Sequence, residues 1–582
     1  MRPAALLAAG ALLPAALAAA QRAPALAVAQ VASSFGHYQP AKLYHEQVAT
    51  SFYLPMRDGV RLAVRVVRPA VNGHAAPGRF PVIWQHALSE VQDPIDGTGP
   101  RAGGFRAIPT LTDYGYVVVQ VARRGNGQSF GVRRGYHDRN ETQDAYELTE
   151  WLARQPWSTG AVGMYGCSNT GDAAIQALTV RPPHLKAVFS GCFSWNKYDA
   201  MRRGGVFAQW GTGPTRTVEQ DMAVEPVQGD ESKTLLRQAA EEHQLQTPLV
   251  ELWRSMPFRD SWSRQVQSRF WSEGSASSYA DAMRASGAGV YVVGGWHDEF
   301  RDQGLIARAN LPGARIVIGA WKHCFNDGFP LVEEAHRFFD QQLKGVDTGV
   351  SRDPPIHYFV QNANAGTEWR ASAVWPLAGT RMSDLFLADG GALAARPGAG
   401  KGTAFTAKYD VACPGAENIA YLQPCHVPGA GPSFAGAPLA RATEVTGNPV
   451  ADLWIETAAP DATVFAYLED VAPDGSVTVV TEGRLKASLR KENAAPWTLP
   501  GGYPWHRAYA EDAQPVAPNQ PTRLRFDILP TSWVFRPGHR IQLTVTGADY
   551  RERDPRPATP PTVRILSDAA HASRVSLPIV PG

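Results

Sequence analysis

AVGMYGCSNTGDAAIQALTVRP (161–182) is the stretch on which the reading of the fold turns. Its first residues are apolar and compact, as in a buried strand. Its last residues are alanine-rich with helical spacing, and Pro182 stops them. Between the two lies GCSNTG, a turn of glycines and small side chains around Ser168. One reading is a routine strand-to-helix turn. The other is a nucleophile held on a strained bend, which requires small neighbours.

The flanking sequence repeats the same alternation. RFPVIWQHA (79–87) and YGYVVVQVARRG (114–125) read as strands, TQDAYELTEWLARQP (142–156) as a helix, and LKAVFSGCFS (185–194) as the next strand. Upstream, two alternating runs flank Asp58-Gly59, a hairpin signature. Near-continuous apolar strands separated by helices predict a mostly parallel sheet covered on both faces. Residues 197–285 break this rhythm with charge, Gln and Trp, and read as an inserted helical cap. The alternation resumes in GVYVVGGWHDEF (289–300), DQGLIARAN (302–310), ARIVIGAWKHCF (314–325) and LVEEAHRFFDQQLKG (331–345). After about 375, short β runs between Gly, Pro and Asp turns predict a sandwich or jelly roll, with a hairpin at Asp474-Gly475. The expected layout is a leader at 1–20, core at 45–196, cap at 197–285, core again at 286–375 and the β domain at 376–582. Residues 390–404 read as a surface loop. Their GAGKGT lacks the glycine spacing and strand–helix setting of a phosphate loop.

Lys and Arg total 56 against 54 Asp and Glu, and no basic stripe is present, which argues against a nucleic-acid partner. The first residues, MRPAALLAAGALLPAALAAA, show the charged start, apolar run and small-residue end of a secretory leader, so the mature chain is expected to be exported and to have no membrane span. Of five cysteines, Cys413 and Cys425 flank a Gly/Pro loop and are the expected disulfide. Cys167 and Cys324 adjoin the candidate catalytic residues and read equally well as small buried side chains. No metal-type spacing occurs, and neither metal nor organic cofactor is expected.

A serine hydroxyl needs a base to accept its proton and a carboxylate to steady that base. On a parallel sheet such groups collect at the carboxyl ends of strands. Asp298 follows one strand run and His323 the next, so Ser168, Asp298 and His323 stand in α/β-hydrolase order. The usual G-x-S-x-G pattern is broken, because Thr170 occupies its last position. A cysteine nucleophile at Cys167 would be aimed elsewhere by the turn.

PMRDGVRLAV, VVVQVARRGNGQSFG, ETQDAYELTEWLARQPWSTGAVGMYGCSNTG, GGWHDEF, GAWKHCF and LEDVAPDGSVTVVTEGRLKASLR together resemble the CocE/NonD family of serine hydrolases, the cocaine-esterase and X-prolyl dipeptidyl-peptidase group. The resemblance runs from about residue 48 to 550. It implies an α/β-hydrolase core with an inserted helical cap and a C-terminal jelly-roll, galactose-binding-like domain. It also implies nucleophile Ser168, acid Asp298 and base His323. The family's elbow aromatic is Asn169 here, whose backbone N–H still suits an oxyanion donor. The tyrosine that such esterases add to the oxyanion site has no counterpart in WQHALSEVQD, where Ser89, His86 or a second backbone N–H are the candidates. A hydrogen-bonded structural role suits His86 as well.

Related amino-ester hydrolases carry carboxylates two and three residues after the acid, where this chain has Phe300 and Arg301; Glu299 and Asp302 are the remaining candidates for a substrate ammonium. His297, Arg123 and Arg124 read as structural, and the tryptophans as core or acyl-pocket wall. The expectation is a serine esterase acting on a small-molecule ester. The alternatives are an X-prolyl dipeptidyl-peptidase or acylase acting on amides, and a catalytically silent binding protein. A homo-oligomer is compatible with the sequence.

Overall fold

The structure, a computed structural model, describes residues 34–87, 104–208, 216–413 and 423–581. The expected leader and Ser89 lie outside them. The core strands, in chain order, are β1 (Glu46–Pro55), β2 (Arg61–Val71), β3 (Phe80–Ala87), β4 (Val117–Ala122), β5 (Ser158–Cys167), β6 (Leu185–Gly191), β7 (Gly289–Gly295), β8 (Arg315–Gly319), β9 (Ile356–Phe359) and β10 (Trp369–Ser372). They lie side by side in the order β1-β2-β4-β3-β5-β6-β7-β8-β9-β10. Pairing is parallel from β4 to β9 and antiparallel at both ends. The β1–β2 hairpin turns at Asp58-Gly59, with Pro55 opposite Arg61 and Gly59 at φ 81°.

Successive residues of the central strands enter opposite cores, as the two-residue strand period requires. Val82, Val119, Val188, Val292 and Ile316 pack on one face; their neighbours Ile83, Val118, Phe189, Tyr291 and Val317 pack on the other. The first face is covered by α1 (Arg139–Ala153), α2 (Asn169–Ala177) and α5 (Arg301–Asn310), and the second by α6 (Leu331–Lys344). Burying each such side chain contributes about 1.5–3 kcal/mol over leaving it in water. The first helix starts at Arg139, three residues before the hydrophobic period suggests. Asp138 caps it by accepting from the amides of Asn140 and Glu141. The α6 helix ends on Gly345, whose φ of 69° gives the left-handed stop that glycine allows.

Between β6 and β7 the chain leaves the sheet. This insert contains α3 (Thr234–His243) and α4 (Leu249–Arg254), with its own core around Trp253, Phe270 and Trp271. Arg202 and Arg203 of the insert reach the β domain: Arg202 pairs with Asp554, and Arg203 bridges Asp302 of α5 (2.6 Å) and Asp527 (3.2 Å).

The C-terminal domain is all-β. Thr463–Val471 pairs with Val477–Lys486 across Asp474-Gly475, and Val450–Thr457 pairs with Thr522–Asp527. The stretch 390–404 is not loop throughout. Ala392–Ala394 forms a short strand on Arg381–Ala388 because Leu393 finds a buried position in the sandwich core. Among the described residues no helix is long and apolar enough to cross a membrane.

Candidate active site

Ser168 stands at the junction of β5 and α2 with φ 59° and ψ −127°, a strained conformation for a residue with a side chain. The strain is held by the surroundings. The Ser168 amide donates to the Gly191 carbonyl at the end of β6 (2.9 Å), and the Asp172 amide donates to the Ser168 carbonyl (2.8 Å). Thr170 turns out to be useful where the expected glycine is missing. Its hydroxyl accepts from the Cys167 amide (2.9 Å) and donates to the Cys167 carbonyl (2.8 Å), lacing the bend from inside. Gly166 and Gly171 are required by close approach, since a Cβ at either would lie 2.4 Å from a backbone atom.

Asp298 and His323 follow β7 and β8, and His323 Nδ1 lies 2.9 Å from Asp298 Oδ1. Both are buried. Burial disfavours the ionised carboxyl of Asp298, yet the charge and hydrogen bond of His323, with help from Cys192 and the Phe300 amide, hold it below the usual carboxylate range. An ionised acid paired with the imidazole is the state a general base requires.

Sequence spacing gave no sign of the link between these groups. Cys167 and Cys324 form a disulfide with their Cα atoms 5.9 Å apart. One precedes Ser168 and the other follows His323, so the Cα atoms of the serine and histidine are no more than about 13.5 Å apart. The bridge also removes Cys167 as a free thiol, and both cysteines are covalent partners instead of packing residues. Cys413 and Cys425 form the expected second bridge. Cys192 is a buried free thiol.

A second group of residues, not singled out for the site from sequence, supports the residue after the nucleophile. His137 Nε2 lies 3.1 Å from the Asn169 carbonyl, and Arg123 donates to the same oxygen (3.5 Å). Lys197, buried in the insert, contacts His137 Nδ1 at 2.7 Å and donates to the Tyr136 carbonyl (3.2 Å). An ammonium only donates, so Nδ1 accepts and Nε2 carries the hydrogen given to Asn169. Burial, with the charges of Lys197 and Arg123, pushes His137 well below its ordinary value and keeps it neutral. These contacts hold the Asn169–Thr170 peptide, while the preceding peptide, which carries the Asn169 N–H, is held at its own carbonyl, that of Ser168, by the Asp172 amide (2.8 Å).

Other candidates take structural places. His86 is buried beside His137, Glu141, Thr142, Ala173 and Gln176, beneath α2; burial and the charges of Arg123 and Arg124 keep it neutral. Arg123 pairs with Glu141, and Arg124 with Asp144 and Asp58. Asp302 is held by Arg203, and Glu299 is buried within the field of Arg484. The Phe300 ring lies 5.5 Å from the His323 ring, and Arg301 grips the Asp298 carbonyl while reaching Thr481 of the β domain. His297 is pushed down to about 4 by burial and neighbouring cations.

Residues 58–325 match the family described as X-Pro dipeptidyl-peptidase (S15 family), and residues 348–576 match the X-Pro dipeptidyl-peptidase C-terminal non-catalytic domain. A protein of Mycobacterium bovis named as a serine esterase is 30% identical over 605 residues, covering 91% of this chain and 95% of that protein. The cocaine esterase of a Rhodococcus species is 27% identical over 602 residues, covering 92% and 98%. Among solved structures, a CocE/NonD family hydrolase from Staphylococcus aureus superposes with a TM-score of 0.71 at 19% identity, over 92% of this chain and 94% of that one.

Proposed function

The chain belongs to the CocE/NonD family of serine hydrolases, and on that premise we propose that it cleaves carboxylic esters through an acyl-enzyme on Ser168. The observation that carries the reading is a strained serine at a strand–helix junction, covalently tied to the segment that bears a buried His323–Asp298 pair.

His323 Nε2 takes the proton of the Ser168 hydroxyl as Oγ attacks the ester carbonyl carbon. The carbonyl π pair moves onto oxygen, and the resulting oxyanion accepts from the Asn169 amide at the positive end of α2. Asp298 stabilises the imidazolium. As the tetrahedral species collapses, the C–O bond to the alcohol breaks and Nε2 returns the proton to the departing oxygen. Water, deprotonated by the same nitrogen, then repeats the attack on the acyl carbon and frees Ser168.

The relatives' names favour esters, whereas the family description also names a peptidase acting after proline. Apolar Phe300 beside His323, and the engagement of Asp302 by Arg203, favour a substrate without a free α-ammonium. The test is a panel of p-nitrophenyl esters of graded acyl length against glycyl-prolyl-p-nitroanilide, with Ser168→Ala alongside. Esters should turn over, the anilide should not, and the variant should lose about 10⁴-fold or more in kcat. Faster anilide cleavage would reverse the substrate class; retained turnover in the variant would end the serine assignment. We also propose that the chain is exported, on the strength of its leader-like start and two disulfides. Cell fractionation with N-terminal mass analysis tests it; protein found in the cytoplasm with Met1 intact, and none outside it, would refute it.

A further inference from the structure

Three cysteines meet at the site. The sulfurs of Cys167, Cys192 and Cys324 all lie within 4.8 Å of one another, and the Cys192 sulfur also lies within 4.8 Å of an Asp298 oxygen and of a His323 ring nitrogen. The Cys324 amide donates to that sulfur (3.3 Å). Cys192 itself follows Gly191, the residue whose carbonyl holds the Ser168 amide.

The sheet alone does not bring the serine and the histidine together. Their strands, β5 and β8, are separated by β6 and β7. His323 lies in the stretch 320–330, which has no helix or strand before α6. Within it Cys324 is left-handed at φ 60°. The nucleophile turn is rigid, laced by Thr170 and Gly191. The histidine segment is irregular backbone, and its covalent tie to that turn is the Cys167–Cys324 bridge. The site tolerates little drift: misplacing a reacting group by about 1 Å costs about 10²-fold in rate.

We propose that the Cys167–Cys324 disulfide is a positioning device for His323, so that the hydrolytic rate of this protein depends on the oxidation state of that bridge. The inference rests on the serine-hydrolase reading above. Cys324 is partly exposed, so an external dithiol can reach the bond. One thiolate of the dithiol attacks a bridge sulfur, the S–S bond breaks and the other cysteine leaves as thiolate. The second thiol of the reagent then displaces the remaining cysteine. Two electrons and two protons pass to the protein, and the reagent ends as a cyclic disulfide. Cys192 does not compete for the bridge. Burial, reinforced by the Asp298 charge, favours its protonated form, and a thiol is not a nucleophile.

The test uses the purified full chain and dithiothreitol, with p-nitrophenyl butyrate turnover, the rate of fluorophosphonate labelling of Ser168, near-ultraviolet circular dichroism, and mass mapping of the thiols. Reduction mapped to residues 167 and 324 should lower kcat about 10- to 100-fold with KM little changed. Labelling should slow in step, the dichroism should be retained, and reoxidation should restore the rate. A Cys413→Ala/Cys425→Ala variant should keep both activity and the response. A Cys167→Ser/Cys324→Ser variant should be slow and indifferent to dithiothreitol; if it does not fold, the reduction of the unaltered protein decides. Full kcat in folded protein whose thiols at 167 and 324 are mapped as reduced would overturn the proposal. A fall in melting temperature with unchanged kcat would do the same, since it marks a merely structural bond. Failure of the underlying reading is distinct: it would show as oxidised, active protein that fluorophosphonate does not label at Ser168.

Discussion

Gly171→Ala is the substitution whose cost the structure specifies most closely. Gly171 lies in the first turn of α2, pressed on the end of β6. A Cβ at this position would sit 2.4 Å from the Gly191 carbonyl oxygen, 3.0 Å from Ser190 Oγ and 3.2 Å from the Gly166 oxygen. Ordinary contact begins near 3.4 Å, so helix and strand end must part by about 1 Å. The oxygen struck is the one that accepts the Ser168 amide, and Ser190 Oγ donates to the Gly171 carbonyl (2.9 Å). Neither neighbour moves without moving the nucleophile. A displacement of this size predicts a fall of about 100-fold in kcat, equivalent to about 2.7 kcal/mol of barrier. Overpacking should lower stability by about 1–3 kcal/mol. Steady-state kinetics on p-nitrophenyl butyrate and urea denaturation read the two effects, and KM should be nearly constant. A folded Gly171→Ala protein with undiminished kcat would refute the argument that helix–strand contact sets the position of Ser168.

Asp298→Asn keeps the shape of the acid but removes the charge that steadies the imidazolium; kcat should fall about 10⁴-fold with little change in KM, and a fall under tenfold would contradict the role. His357 stacks on Phe35 with ring centroids 4.0 Å apart, and burial, with Arg315 and Arg337 nearby, pushes it down to about 3. Between pH 3 and 6.5 the unfolded chain therefore binds a proton that the folded chain refuses, so its contribution is complete above 6.5 and erodes on acidification. Relative to His357→Phe, the unaltered protein should lose about 2 kcal/mol between pH 7 and pH 5; equal losses in urea titrations of both would refute the shift. Arg551→Met strips the partner from Glu482 and Asp549, both buried, and should cost about 3–5 kcal/mol by chemical denaturation; a change below 1 kcal/mol would show that water reaches the pair.

The sequence was informative wherever one local pattern sets the outcome. Ser168, Asp298 and His323 each follow a run of strand-forming residues, so their place at strand ends could be read directly. It was silent where distant parts meet. The bridge joins residues 157 apart, and its pairing depends on the strand order of the sheet, which spacing does not encode. The hold on the Asn169 carbonyl draws His137 from the loop before α1 and Lys197 from the insert. Thr170 looked like a defect in the nucleophile motif because its use is a pair of backbone hydrogen bonds. The early start of α1 is not encoded in the hydrophobic period, because a capping carboxylate, Asp138, fixes it. Ser89 lies outside the described residues, and His86, though at a strand end, is enclosed beneath α2.

Arg203 and Arg301 bear on how small this enzyme could be made. Cutting the chain ahead of the sandwich would look harmless on a diagram, since every proposed catalytic side chain comes before it. The cut would strand a buried guanidinium at 203 without Asp527 and loosen Arg301, which holds the Asp298 backbone from one side while resting on Thr481 at the other. A hydrolase trimmed of its β domain would therefore lose the backing of its own acid, and engineering for compactness should shorten loops within that domain before removing it.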